Sequence, residues 1–491
     1  MELEESLPDY CPDIARLIRV DCSPVIENSE FSGDRCVVSG KAVCRILYET
    51  DYKSKIKSAE FVKDFSHSFE VPMQGCTDPV AQAKARCTHI SCKMLSPRKF
   101  IIKSRLQLDL DVFANTAVKT VDTRSGDNTF YRTVDISYEK KLPPCVEEFA
   151  FEEELPLLQS EKSIGDIVFG SVQLQPPQVT VSGSDAIVKT NATVKLLYEE
   201  EGGDNQLVAT TKVVPVSMTL SNLAVDDAGR IAVSLSVTNA RVTSELDAYG
   251  ENRIIKATFT ARAKAEMTEK VTETVATDLF SSDCVNKTES ATIALPAQNN
   301  ETDRTFSIDT VITPEKPFVN TPFDIDIIIN DLKAEIANGG VNLSGNYTVT
   351  MLGHTADSLE SYDSTGEFME FIPIELSENV TSVDAELYPF DYSLTMMSDG
   401  SIAIRIILNA KIKTYSEELQ TIVTSVISQE PLPKEKDSYA VIYYFPNASD
   451  NLWSIAKRYY ANPSVIKNAN PNAFDEYEQV KNGTKMIMIK K

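Results

Sequence analysis

Apolar and polar residues alternate along most of this chain with a period of two, which sends successive side chains to opposite faces of a strand. Residues 40–49 put Gly40, Ala42, Cys44, Ile46 and Tyr48 on one face and Lys41, Arg45 and Glu49 on the other. That is the pattern of a half-buried antiparallel strand. It returns 150 residues later as Thr190, Ala192, Val194, Leu196 and Tyr198, and 155 residues after that as Gly345, Tyr347, Val349, Met351 and Gly353. A second segment repeats independently. Ile102, Ser104, Leu106, Leu108 and Leu110 align with Ile255, Ala257, Phe259, Ala261 and Ala263, and with Ile404, Ile406, Leu408, Ala410 and Ile412, at offsets of 153 and 149 residues. Two segments recurring at nearly the same offset predict a tandem repeat of three units.

Further β-like text lies between the two segments of each copy, at Glu60–Val71, Leu207–Leu220 and Gly366–Leu376. Turn signals at Gly202-Gly203-Asp204, Asp226–Gly229 and Ser398-Asp399-Gly400 punctuate it. The fold class expected is mainly β: three tandem antiparallel sandwich or barrel-like modules, followed by a small strand-helix-helix-strand domain. A local exception is a short helix over Pro12–Arg19, where Ile14, Leu17 and Ile18 follow helical spacing. The expected modules are 1–145 with an N-terminal arm, 146–294 and 304–428, then a linker at 429–437 and a last domain at 438–491. Leu142-Pro143-Pro144 closes the first, Pro296–Asp303 separates the second from the third, and the two prolines and five charges of Gln429–Asp437 mark the linker.

The last segment is written in helical spacing. Leu452, Ile455, Ala456 and Tyr459 form one apolar face behind an N-cap at Asp450 or Asn451. Asn462-Pro463 starts a second helix carrying Val465, Ile466 and Ala469, and Asn470-Pro471 ends it. Strand-like Tyr439–Tyr443 and Met486–Ile489 flank the pair.

Composition narrows the function. Of 491 residues, 48 are Lys or Arg and 72 are Asp or Glu, a net charge of −24, and 42% are apolar. Such a chain is too apolar for disorder and too acidic to grip nucleic acid through its phosphates. The acidic start Met1–Tyr10 lacks an apolar run, and no stretch reaches the roughly 18 apolar residues of a membrane span, so the compartment expected is the cytoplasm. Eight Asn-X-Ser/Thr sequons, from Asn191 to Asn482, then read as chance in an Asn- and Thr-rich chain. Seven of nine cysteines fall within the first 100 residues, an odd and lopsided set that makes poor material for a disulfide framework.

Catalytic chemistry is hard to assemble from three scattered histidines, His67, His89 and His354, and no nucleophile elbow, zincin, P-loop or dinucleotide motif occurs. The expectation is a nonenzymatic protein with no cofactor. The best metal candidate is Cys76, Cys87, His89 and Cys92, since thiolates and imidazole suit Zn²⁺. Strict alternation places Cys87 and His89 on one strand face and Cys92 on the other, so a buried structural role is expected, as for Cys36 and Cys44. Glu152–Glu154 and Asp324, Asp326 and Asp331 read as outward acids of strands, lacking the glycine of an EF-hand turn. Residues 438–491 carry a net charge of +3 against −27 for the rest, which favours an acidic glycan or an acidic protein for this end.

Two resemblances follow from these residues. Asp450–Tyr459, Pro463–Pro471 and Asn482–Ile489 resemble the LysM domain, with its Gly-Asp-Thr-Leu-Trp-Ser-Ile-Ala start and Pro-Gly-Gln-Lys-Leu-x-Ile end. LysM domains bind N-acetylglucosamine glycans through the loop entering the first helix and the loop leaving the second. The resemblance therefore implies a ligand site at Ser449, Asp450, Asn451, Leu452, Ala469, Asn470, Pro471, Asn472 and Ala473. Ser449 stands where that family has glycine, and the aromatic Tyr443-Tyr444-Phe445-Pro446 replaces its usual approach. Trp453 is expected in the core rather than as a ligand platform. Leu7–Val20 (Leu-Pro-Asp-Tyr-Cys-Pro-Asp-Ile-Ala-Arg-Leu-Ile-Arg-Val), Val38–Val43 and Arg45–Tyr48 resemble SPOCS domains, which occur in tandem in spore-coat-associated proteins. That likeness implies a scaffold on the mother-cell side of the forespore surface whose partner is a spore-coat morphogenetic protein. The alternative is a peptidoglycan-binding protein of cell wall or spore cortex, and open strand edges also permit self-assembly.

Overall fold

The computed structural model describes residues 1–51, 55–123, 128–203, 206–224, 229–377, 379–432, 441–447, 449–481 and 485–489. Asp204 and residues 226–228 of two turn signals, 433–437 of the linker, 439–440 of the strand-like segment before the helices and 482–484 of the last motif lie outside these. The chain divides into two units, one formed by residues 1–116, 140–269 and 298–416, the other by 117–139, 270–297 and 417–491.

The first unit contains three sandwiches of one topology. In the first, β1 (Glu2–Ser6), β2 (Ile14–Ser32), β3 (Arg35–Thr50), β4 (Ile56–Glu70), β5 (Cys76–Ser96) and β6 (Lys99–Thr116) form the sheets β2-β3-β4 and β1-β6-β5. Cys44, Ile46 and Tyr48 of β3 are buried against Phe100 and Ile102 of β6. The second uses β7 (Thr129–Pro156), β8 (Ile164–Leu174), β9 (Gln178–Ser182), β10 (Asp185–Glu200), β11 (Leu207–Leu220), β12 (Arg230–Leu246) and β13 (Asn252–Ser281). Its sheets are β11-β10-β8, with β9 also on β10, and β12-β13-β7. The strand equivalent to β2 breaks into β8 and β9 at Gln175-Pro176-Pro177, where proline supplies no N–H to the ladder. The third uses β14 (Cys284–Ile312), β15 (Asp324–Ala337), β16 (Gly340–His354), β17 (Leu359–Pro373), β18 (Val380–Met396) and β19 (Ile402–Pro431), in sheets β15-β16-β17 and β14-β19-β18. Each copy thus pairs its second, third and fourth strands in one sheet and its first, sixth and fifth in the other. The repeated sequence segments are the middle strands, β3, β10 and β16, and β6, β13 and β19.

Equivalent positions need not hold equivalent residues when the space is filled another way. Tyr48 and Tyr198 are fully buried, and the Tyr198 hydroxyl donates to the Lys162 carbonyl at 2.8 Å. The third copy has Gly353 at this place, and the Phe318 ring occupies the room: a Cβ on Gly353 would lie 2.9 Å from it. Each of the first two copies also orders its entry loop with an arginine at or just before the start of the sixth strand. Arg98 donates to the carbonyls of Pro8 and Cys11 and pairs with Asp13, and Arg253 donates to the carbonyl of Leu158.

The three sandwiches meet at one apolar cluster. It contains Leu47 and Ile56 from the first, Val168, Leu197 and Leu207 from the second, and Leu352 and Leu359 from the third, with Ile18, Phe169 and Phe323 packed on it. In the strand registers Leu47, Leu197 and Leu352 are the same position of the repeat, opposite Arg19, Phe169 and Asp324. Polar contacts surround the cluster. Arg19 and Lys195 both reach Asp324, at 3.2 and 3.0 Å, Lys55 reaches Glu199 at 3.0 Å, and the Arg45 guanidinium lies 4.6 Å from the centre of the Phe169 ring. Asp324, expected on a solvated face, is therefore an inter-module anchor, because its strand faces a neighbouring copy rather than water.

Two local expectations change. Pro12–Arg19 is not helical: Ile14–Ser32 is strand β2, and bulges between Ile14 and Arg16 and between Leu17 and Arg19 break its alternation into a spacing that imitates a helix. Leu142–Pro144 and Pro296–Asp303 lie inside β7 and β14, and Gln429–Pro431 ends β19. The φ of proline suits extended backbone, so it removes a ladder donor without ending the strand. These strands are long for a reason: β7, β13, β14 and β19 run 28, 30, 29 and 30 residues and supply residues to both units.

In the second unit, parts of these strands bury Ile136, Val275, Leu295 and Ile422 together, and Ala276, Leu279 and Val423 beside Val121 and Tyr131. The same unit holds the chain's two helices among the described residues. The order there is β20 (Val441–Tyr444), α1 (Leu452–Arg458), α2 (Pro463–Ala469) and β21 (Met486–Ile489), with β20 and β21 antiparallel.

Candidate functional site

The module at 441–489 is built on a small core of Tyr444, Leu452, Ile455, Ala456, Ala461, Ile466, Ala473, Phe474 and Met486. Phe280 of β13 belongs to that core, so the module is not a free bead on a linker. The lone tryptophan, Trp453, sits half-buried at this seam, edge-on to Phe280 with ring centres 5.0 Å apart. Its indole N–H donates to Asp278 at 2.8 Å, and Lys457 pairs with the other oxygen of the same carboxylate. Trp453 is thus a docking residue, one end apolar and the other hydrogen-bonded.

The loop entering α1 is organised by a buried carboxylate. Asp450 is 3% exposed and accepts hydrogen bonds from the Tyr444 hydroxyl, the Asn447 N–H at 2.8 Å and Arg458 at 3.0 Å. Burial alone would raise its carboxyl, but these donors together hold it below the usual value. Burial and the neighbouring carboxylate push the Tyr444 hydroxyl up to about 12. Asn451 is the N-cap of α1: its side chain accepts from the Ser454 N–H at 2.8 Å, and Ser454 Oγ accepts from the Asn451 N–H at 2.9 Å. Leu452 is core, and Ser449 is exposed.

The loop leaving α2 is clamped in the same way. Asn470 is buried, donates to the carbonyls of Ile466 and Ile487 at 2.9 and 2.6 Å, and accepts from the Ile487 N–H at 2.7 Å. It ties α2 to β21. Ala469 is half-buried, Ala473 is buried, and Pro471 and Asn472 are exposed. Of the nine residues expected to bind a ligand, Asp450, Asn451, Leu452, Asn470 and Ala473 therefore have structural duties in the fold, whereas Ser449, Pro471 and Asn472 face solvent.

The sequence reading missed the exposed aromatic face beside them. Alternation along β20 sends Ile442 and Tyr444 inward and Val441 and Tyr443 outward, and Tyr443 stands opposite Ile487 of β21. Val441, Tyr443 and Phe445 are 50%, 71% and 64% exposed, and the Lys485 ammonium lies 5.5 Å from the centre of the Phe445 ring. Tyr443 and Phe445, part of the aromatic Tyr443–Pro446 stretch that replaces the usual LysM approach, are the signal that could have found it.

The set Cys76, Cys87, His89 and Cys92, weighed above as a metal candidate, takes a different arrangement. A bulge at Thr88 puts Cys87 opposite Leu106 and His89 opposite Arg105, so Cys87 and Cys92 share the inward face and His89 points away, the reverse of simple alternation. Cys76 lies at the start of β5, 3.8 Å from Thr116 Oγ1. Among the described residues no group of three or more His, Cys, Asp or Glu side chains is placed to hold a metal ion.

Comparison with known proteins adds one finding. Residues 13–95 match the family model "SipL, SPOCS domain". The match runs from just before β2 to nearly the end of β5, most of the first sandwich. No curated protein and no solved structure matches the chain. No helix among the described residues is long and apolar enough to cross a membrane.

Proposed function

We propose that this chain is a nonenzymatic interaction scaffold of sporulation, in which three SPOCS-like sandwiches set a rigid frame and a C-terminal module of LysM type recruits a protein partner at the developing spore surface. The SPOCS match supports the sporulation setting, and the recurrence of one sandwich topology supports reading the second and third copies as the same kind of module. The LysM reading rests on the sequence motifs and on the strand-helix-helix-strand order with its two strands paired. The single observation that carries protein recruitment is the aromatic face of Val441, Tyr443, Phe445 and Ile487. Aromatic anchors of this kind are what protein interfaces concentrate. A spore-coat morphogenetic protein is the class of partner this reading favours.

The competing ligand is a peptidoglycan glycan held by the exposed loop residues Ser449, Pro471 and Asn472. Co-sedimentation of the full chain with purified peptidoglycan sacculi, at low and physiological salt, separates the two. The expected result is no binding at physiological salt. Saturable, salt-resistant binding that is lost on changing the loop residues would replace protein recruitment with glycan targeting.

A further inference from the structure

The first sandwich gathers thiols where the other two do not. Cys22 of β2 is directly opposite Cys44 of β3 in the strand register, and both belong to the core between the sheets. Directly opposed residues of antiparallel strands have Cα atoms roughly 4.5 to 5.5 Å apart, within the range that a disulfide spans. Cys87 of β5, turned inward by the bulge at Thr88, faces inward from the other sheet opposite Leu106. The repeat supplies an internal control. The register positions of Cys22 and Cys44 are Val172 and Val194 in the second copy and Ile327 and Val349 in the third, and Cys87, opposite Leu106, corresponds to Ala240, opposite Phe259. Aliphatic side chains therefore satisfy the packing, and the three sulfurs are not needed for it.

We propose that Cys22 and Cys44 form a thiol oxidation site, closing an intramolecular disulfide when a peroxide is present. Cys22 is half-buried and Cys44 is sealed, so Cys22 meets the peroxide first, and the bond ties β2 to β3 within one sheet. The peroxide O–O bond breaks as one oxygen passes to a half-exposed sulfur, giving a sulfenic acid and water. The neighbouring thiol then displaces that oxygen as a second water while the S–S bond forms. Two thiols lose two electrons and two protons, and one peroxide is reduced to two waters. Contact with Cys44 first, and burial, push the Cys22 thiol up to about 12, while contact with Cys22 holds the Cys44 thiol below its ordinary value. The reaction is accordingly slow at neutral pH and accelerates as pH rises, because the thiolate is the nucleophile.

The test is to treat the full chain with hydrogen peroxide, block the remaining thiols in denaturant and map disulfide-linked peptides by mass spectrometry. The expected result is loss of two titratable thiols per chain and a Cys22 peptide joined to the Cys44 peptide. The Cys22→Val chain, which carries the residue of the second copy, should keep its melting profile and lose the link, and Cys36→Val should retain it. A Cys22 that stays fully alkylatable, a first link between other cysteines, or links only between chains would overturn the proposal.

Discussion

At the scale of single residues, Asp450 governs the C-terminal module. Its carboxylate is buried under three donors, so removing the charge leaves Tyr444, Asn447 and Arg458 short of an acceptor. Asp450→Asn is expected to destabilise the module by roughly 1–3 kcal/mol, the usual cost of a lost charged hydrogen-bond centre. The pH dependence follows from the sign of the shift. A carboxyl held below its ordinary value of 3.8 in the folded state contributes stability that is complete above that value and is lost as pH falls through the folded one. Urea titrations followed by Trp453 fluorescence at pH 7 and pH 3 check this. The wild-type chain should lose more stability on acidification than Asp450→Asn, and equal losses would contradict the assignment. The loop carboxylate was visible in the sequence only as a candidate cap or ligand contact. Its burial depends on Tyr444 and Arg458, whose approach is set by the fold.

At the scale of elements, the middle strands were the readable part. β3, β10 and β16 are covered on the core side and flanked by a strand on each edge, so their alternation is nearly unbroken, and the repeat could be found from them alone. β2 was misread because two bulges within six residues scramble its period. The long strands escaped for another reason: nothing in a period-two text says where one structural unit ends and the next begins, and proline marks a missing donor, not a boundary. The docking of the C-terminal module was equally invisible, since Asp278 and Trp453 are 175 residues apart. Asp278→Ala removes the acceptor of the indole N–H and the partner of Lys457. It is expected to shift Trp453 emission to the red and to lower the module's unfolding free energy by roughly 1–3 kcal/mol. Unchanged emission would place the indole elsewhere than against β13.

At the scale of the whole molecule, the three sandwiches of the first unit behave as one body if the cluster around Leu47, Leu197 and Leu352 couples them. Placing a charge there, as in Leu197→Asp, buries an unpaired carboxylate between copies. Calorimetry is expected to show one main transition for these sandwiches in the wild-type chain and separated, lower transitions in the variant. A variant profile that only shifts, with its shape intact, would mean that each copy's own core dominates.

The most direct test of the proposed recruitment is quantitative affinity capture with the full chain from extracts of sporulating cells, comparing wild type with Tyr443→Ala/Phe445→Ala. Two central aromatic anchors each carry roughly 2 kcal/mol or more when they form a hot spot, so the double variant should lose at least about tenfold in retention. Recruitment by the aromatic face predicts one protein retained at near-stoichiometric level through a physiological salt wash by the wild-type chain and lost by the variant. Equal retention of that protein by both chains, or no protein enriched over control, would contradict it.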